Sequence, residues 1–208
     1  MNGKKLQYGM ITSLIVLAAS ALLVNNPLEA SSQSSKKYSV AAAQAKILNF
    51  DNLTKLEAYS DYIVIGQATG EQEMHEVKTD EGVVVDQLGQ ASFQIDRVIK
   101  GDLPNNATIT VYEDGYLNNE KYVTLEGYVK MKSQAQILLF LRKAGDHAFA
   151  INGSYQGKYN IDKKSFEQAF PANVNAITEE ELEQYDYIGD NVEHFNKLKA
   201  EALNKYIE

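Results

Sequence analysis

The side chains of this sequence best suited to chemistry are its three histidines, His75, His147 and His194. Each stands next to a carboxylate residue, and imidazole with carboxylate can bind zinc or transfer protons. A fold that brought them together would suit a metal-assisted extracellular hydrolase. The three are dispersed without the spacing of a metal motif, which favours solvated or locally hydrogen-bonded histidines. We therefore predict no catalytic residue, no metal ligand and no cofactor.

A serine nucleophile is the second chemical possibility. Residues 153–157 read GSYQG, with the serine directly after the first glycine, whereas a nucleophile elbow reads G-x-S-x-G. Ser34 and Lys37 have S-x-x-K spacing but lie in a polar, small-residue segment. We interpret both patterns as coincidental.

Tyrosine is unusually frequent, with thirteen Tyr and no Trp. Tyr112, Tyr116, Tyr122 and Tyr128 crowd one stretch that is also rich in Asn, Lys and Glu. Tyrosine offers a large contact area with a polar tip, which suits a protein or glycan surface. The competing interpretation, which we favour, is that about half of the tyrosines are barrel residues with the hydroxyl at the rim. If a binding face exists, we expect it at residues 116–128 together with the turn at 101–106.

Composition limits the partners. The formal net charge is -8, and an acidic surface repels nucleic acid and anionic lipid. The only arginines, Arg97 and Arg142, lie in strand-like stretches and not in a basic stripe. We predict no nucleic-acid partner. Because there is no cysteine, there is neither a disulfide nor a thiol for lipid attachment.

The N-terminal segment has the pattern of a secretory signal. Lys4 and Lys5 precede an uncharged apolar run over residues 10–24, which is shorter than the roughly 20 residues of a membrane-spanning helix. We predict a signal peptide over 1–30 and a flexible linker over 31–45. The protein is then secreted or held at the extracytoplasmic surface, and it meets a membrane only if the signal is not cleaved.

Alternating apolar residues predict a barrel domain over 46–170. Asp51 is a plausible N-cap for a short helix ending near Ser60. Residues 70–89, acidic and interrupted by glycines, predict a long hairpin excursion. The expected strands, five to seven in all and mostly antiparallel, include residues 62–66, 91–99, 108–112, 137–141, 148–151 and 157–161.

The C-terminal segment, 171–208, has helical periodicity. Thr178 with Glu181, and Asp190 with Glu193, form two potential capping boxes before apolar stripes. Helices this short are marginal alone, so both should dock on the barrel. The predicted fold class is mainly β (α+β): a small antiparallel OB-like β-barrel with one N-terminal and two C-terminal helices.

The order of these segments resembles a known group. A short helix is followed by SDYIVIGQA, SFQIDRVIKGDLPNNATITVYEDG, QILLFLRK and YQGKYNID. This is similar to uncharacterised secreted bacterial proteins whose core resembles the netrin-like or metalloprotease-inhibitor-like OB barrel. The resemblance covers about residues 53–162 and implies a closed β-barrel. The inhibitory mechanism of the animal members needs an N-terminal cysteine, so it carries over to no residue here.

Two hypotheses about function follow from the sequence. The favoured one is an exported, non-enzymatic binding or inhibitory module of the bacterial cell envelope or medium, whose partner is an extracellular protein or glycan. The candidate binding residues for this function are Tyr116, Lys121, Tyr122 and Tyr128. The alternative is the metal-assisted hydrolase, which requires the histidines or carboxylates to converge in the fold.

Overall fold

A computed structural model describes residues 36–146, 148–162 and 176–207 of the chain. The predicted signal peptide, the start of the predicted linker, His147 and residues 163–175 lie outside the described residues. The described residues all belong to one compact unit. Within them the elements are β1 (Lys37–Ala43), α1 (Leu53–Tyr59), β2 (Tyr62–Lys78), β3 (Val84–Lys100), β4 (Thr108–Glu113), β5 (Gly115–Asn118), β6 (Lys121–Leu125), β7 (Gln136–Lys143), β8 (Ala148–Ile151), β9 (Lys158–Asn160), β10 (Ala176–Thr178), α2 (Glu179–Leu182) and α3 (Val192–Tyr206).

Five of these strands form a closed barrel, which confirms the predicted fold class. The order is β2-β3-β4-β8-β7, and β7 pairs again with β2 to close the ring. β4 and β8 are parallel, while every other neighbouring pair in the ring is antiparallel. A closed barrel removes the free strand edges that an open sheet would expose.

Side-chain alternation explains which face of each strand is buried. In β3 and β4, Phe93, Ile95, Ile109 and Val111 point inward, and polar residues alternate with them. β7 is different, because residues 137–141 are all buried, as its unbroken apolar run predicts. The barrel core is therefore continuous from β3 through β7.

A second sheet, not expected from the sequence, has the order β10-β1-β6-β5. β1 pairs in parallel with β6 and antiparallel with β10. Residues 37–43 are thus a strand, which corrects their assignment to a flexible linker. Tyr38 and Val40 pack against the buried cluster around Tyr122 and Ile177, a contact distant in sequence that local composition does not reveal.

α3 docks on the barrel core as expected, whereas Leu182 of α2 packs in the cluster of the second sheet. α2 has the predicted capping box between Thr178 and Glu181. The second predicted box is wrong, because α3 begins after Asn191 without a side-chain cap. For α1 the N-cap is Asn52, one residue after the predicted Asp51; its side chain accepts from the Lys55 N–H.

The buried stripe of α3 fixes its position against the barrel core. Phe195, Leu198 and Ala202 are buried there. None of the described helices has the length and apolar character needed to cross a bilayer.

Candidate functional site

The structure does not present the predicted tyrosine face. Tyr122 and Tyr128 are fully buried, and Tyr116 is only 7% exposed. Lys121 is exposed at the start of β6. A ring with no exposed surface cannot meet a partner, so Tyr122 and Tyr128 are withdrawn as binding residues. Their role is in the core.

Hydrogen bonds account for the burial of these two tyrosines. The Tyr128 hydroxyl donates to Glu113 Oε2 at 2.7 Å, and the Tyr122 hydroxyl donates to the Tyr128 carbonyl at 2.8 Å. The Lys130 N–H in turn donates to the Tyr122 hydroxyl at 2.9 Å. Burial raises the pKa of both phenols, so both stay neutral. Each polar tip is satisfied inside the protein, as buried tyrosine requires.

The turn at 101–106 and the tyrosine stretch do not lie on the same face of the molecule. It connects β3 to β4 and precedes Thr108, whereas β5 follows Glu113 at the other end of β4. Residue 106 and residue 115 therefore lie at opposite ends of that strand. The structure does not bring these two parts of the predicted face together.

The described histidines have different surroundings. His75 stacks on Tyr112 with ring centroids 5.1 Å apart, while His194 Nε2 lies 3.4 Å from Gln156 Oε1. In the part of the chain that the structure describes, no three or more His, Asp or Glu side chains come close enough to hold a metal ion. The convergence that a metal-assisted hydrolase requires is thus not found in this part of the chain.

Ser154 is placed where a substrate cannot reach it. The residue opens a 3₁₀ turn, Ser154–Gly157, with φ of +57°, and it is only 3% exposed. A serine nucleophile must be open to the carbonyl it attacks. The interpretation of the GSYQG pattern as coincidental agrees with this burial.

A projecting hairpin is the main feature outside the barrel. β2 and β3 are 17 residues each, but β3 pairs with β4 only over residues 89–94. Residues 73–88, which we call the arm, continue beyond the barrel, and, within the described residues, positions 75–88 pair only with one another. The excursion predicted over 70–89 is therefore an extended two-stranded arm. Its tip exposes Val83, Val84 and Val85 by 60%, 42% and 61%.

The His75–Tyr112 stack holds the arm over the outer face of the barrel. The planes of the two rings differ by 27°. Between arm and barrel lies a groove of about 440 Å³, which we call the trough. The small side chains of Ala144 and Ala150 are among those that line it. A more open groove, lined in part by Tyr112, Ala144 and Ala148, adjoins the trough.

Charged side chains line the trough. Asp86 comes from the arm, Asp114 from the residue after β4, and Arg142 from β7. Burial raises the pKa of Asp114, and the nearby Asp86 charge raises it further, while Arg142 acts in the opposite direction. The trough thus offers one guanidinium and two neighbouring carboxylates, which can form charge-assisted hydrogen bonds with a ligand.

The alternation of buried and exposed side chains along a strand is the sequence signal that could have predicted this site. Ile109 and Val111 are buried, so Tyr112, which was not among the candidate residues, must point out of β4. Arg142 was considered only with regard to nucleic acid, although its exposure follows from its place at the end of the apolar run. The approach of the arm to the barrel depends on the curvature of β2 and β3, which no local pattern encodes.

A buried ion cluster lies behind the barrel, away from the trough. Asp186 Oδ2 accepts from Lys199 Nζ at 2.8 Å, and Asp186 Oδ1 lies 3.4 Å from Lys158 Nζ. All three residues are at most 2% exposed. Lys158 also lies over the Tyr128 ring, 5.1 Å from its centroid. The cluster connects α3 and the segment before it to the barrel, so we assign it to stability.

Comparison with known proteins adds no family to this description. No model of a known protein family matches the chain, and no curated protein matches it in sequence. The netrin-like resemblance accordingly stays a prediction, and the case for function rests on the trough and the arm.

Proposed function

We propose that this protein is an exported, non-enzymatic binding module of the bacterial cell envelope or medium. The observation that carries the proposal is the trough between the arm and the barrel, which is lined by the stacked rings of His75 and Tyr112. The outer face of an OB-type barrel between its long hairpin and the turn opposite is a common place for ligands. The proposal of export rests on the charge and apolar pattern of residues 1–30.

The side chains of the trough favour binding over reaction. Arg142 and Asp86 are exposed at its rim, where charge steers a partner and fixes its orientation. The nearest histidine, His75, is stacked on a tyrosine. A general base must instead reach a proton of the substrate. These placements support a recognition surface.

Between a protein and a glycan, the arm favours a protein. One face of the Tyr112 ring is covered by His75, which leaves less aromatic surface for a sugar to stack on. The three exposed valines at the arm tip offer apolar contact, which suits a polypeptide partner. The proposed partner is therefore another extracytoplasmic protein.

A capture experiment with two charge reversals tests the proposal. The full chain, immobilised, is incubated with the envelope fraction and culture medium of the producing cell. Arg142→Glu alters the trough, and Lys121→Glu makes the same charge change at the exposed position on β6. We expect Arg142→Glu to reduce capture about tenfold and Lys121→Glu to leave it within about twofold. Equal capture by both variants, or the reverse order, would contradict the trough as the binding site.

A further inference from the structure

The arm has a free strand edge. β3 pairs with β2 along the whole arm, but its pairing with β4 begins only at Gly89. The Ile95 N–H and C=O form hydrogen bonds with residues 107 and 106 on the β4 side of β3, and Gln87, an even number of residues away on the same strand, has the same orientation; its N–H donates to its neighbour Asp86 Oδ1 at 2.8 Å. Since the N–H and C=O of one strand residue point to the same side, the Gln87 backbone faces away from β2. Within the described residues, the edge at 84–88 therefore has no strand beside it.

This edge faces a groove with an apolar opposite wall. The groove, about 460 Å³, is lined by the five consecutive residues 84–88 and by residues 123–125 of β6. In β6, Tyr122 and Thr124 are buried, while Val123 and Leu125 on the other face are only half-buried. The apolar face of β6 is thus turned toward the free edge of the arm, where an added strand could cover it.

The groove is acidic. Asp86 and Asp114 line it, and no basic side chain is among its described lining residues. The arm itself, residues 73–88, carries five carboxylates and one lysine. Burial raises the pKa of Asp114 and the charge of Asp86 raises it further, so a nearby cation would stabilise the charged form of Asp114. Two acidic arms would repel each other, which argues against a second copy of this chain as occupant.

We propose that an extended, basic segment of the partner protein adds as a β-strand to the arm edge at residues 84–88. Main-chain hydrogen bonds to the edge would supply affinity, and side chains on alternate positions would meet Val123 and Leu125 or the two carboxylates. The inference rests on the proposed function, since it names the kind of partner that the binding module takes.

Synthetic peptides test the inference. The probe is the octapeptide acetyl-(Val-Lys)4-amide with a fluorescent label, and acetyl-(Val-Glu)4-amide is its charge control. Anisotropy titration of the full chain should give saturable binding of the first and at least about tenfold weaker binding of the second. Failure of (Val-Lys)4 to bind, or equal binding of both peptides, overturns the inference.

Backbone methylation of the probe tests strand addition without changing the protein. In an added strand only alternate amides face the arm edge. N-methylation of all valines in one peptide, and of all lysines in another, should therefore abolish binding in one case and leave most of it in the other. Equal effects of the two methylations would show that the peptide does not add as a strand.

Gln87→Pro tests the same edge from the protein side. Proline removes an N–H that faces away from β2, so the arm can keep its pairing while its edge is blocked. We expect about tenfold weaker binding of (Val-Lys)4 by Gln87→Pro, and a change within about twofold for Gln87→Ala, which keeps the N–H. Equal affinities would overturn edge addition.

A charge pair completes the test and separates the two proposals. Asp86→Lys should weaken (Val-Lys)4 about tenfold, whereas Asp102→Lys, an identical change in the exposed 101–106 turn, should stay within about twofold. Equal losses overturn the acidic groove as the site.

If the peptide tests fail while Arg142→Glu still loses capture, the inference is wrong and the binding module stands. If capture is indifferent to Arg142, the proposed function itself fails.

Discussion

Asp186 is the residue whose charge connects the C-terminal segment to the barrel. It contacts two buried ammonium groups, those of Lys158 and Lys199. Burial lowers the pKa of Lys199, and the Asp186 carboxylate opposes that shift. Removing one partner of a buried ion pair leaves a charge that the interior cannot solvate. The Asp186 carboxylate therefore stabilises the charged form of Lys199 inside the protein.

Asp186→Asn should therefore reduce the free energy of unfolding by about 3–5 kcal/mol. Urea titration at pH 7 measures it. Asp102→Asn, which removes an exposed carboxylate, should change the same quantity by less than about 0.5 kcal/mol. If the two variants prove equally stable, the cluster does not support the fold.

Glu113 predicts a dependence of stability on pH. It is 1% exposed and accepts hydrogen bonds from the Tyr128 hydroxyl, the Met131 N–H and the Gln72 amide. Burial is the largest influence and raises its pKa above the usual 4.5. The folded state then holds its proton to higher pH than the unfolded state, so stability is lost as pH rises from the unfolded pKa through the folded pKa.

Glu113→Gln should remove this loss. The stability of the variant relative to the wild type should increase from pH 4 to pH 8, by about 1.4 kcal/mol for each unit between folded and unfolded pKa. Chemical unfolding of both proteins across that range gives the difference. A difference that is constant with pH, or that decreases as pH rises, would show that the fold does not raise the pKa of Glu113.

At the scale of the elements, α3 contributes Phe195 to the core. The side chain is 1% exposed and packs against the rings of Tyr159 and Tyr187 at centroid distances of 5.7 and 5.2 Å. Phe195→Ala should lower the free energy of unfolding by about 3–5 kcal/mol, because it removes buried apolar surface and leaves a cavity. Thermal and urea unfolding measure this loss. Lys197→Ala, on the exposed side of the same helix, should cost less than about 0.5 kcal/mol.

Elements with strong local patterns could be predicted from the sequence. The alternation in β3 and β4, the apolar run of β7 and the Thr178–Glu181 capping box depend on neighbours along the chain, and they are found where expected. β1 depends instead on its pairing with β6 and β10, so its polar, small residues resemble a linker. Tertiary pairing, not local propensity, decides such a strand.

The candidate site was predicted less well than the fold for the same reason. In β6 the apolar residues Val123 and Leu125 suggest the buried face, yet Tyr122 and Thr124 occupy it. Their hydroxyls reach the Tyr128 carbonyl, so polar residues fill the core side and the apolar side faces the groove. The alternation of apolar and polar residues along a strand does not by itself show which face of the strand a second sheet covers.

At the scale of the whole molecule, the net negative charge and the projecting arm indicate the same binding surface. The chain has a formal charge of -8, and the acidic arm projects from an otherwise closed barrel. Like charge discourages self-association through arm edges, which is a known protection for exposed strands. A partner of opposite charge would meet the arm and the trough first.

Amide hydrogen exchange, with and without the partner purified by capture, tests the central claim most directly. The claim is that this partner binds the arm and the trough. The account predicts slower exchange in the complex at residues 84–90, 110–112 and 148–150, with little change at 101–106 and 118–122. Slower exchange confined to 101–106 and 118–122, with the arm unchanged, would contradict it and restore the tyrosine stretch as the binding face.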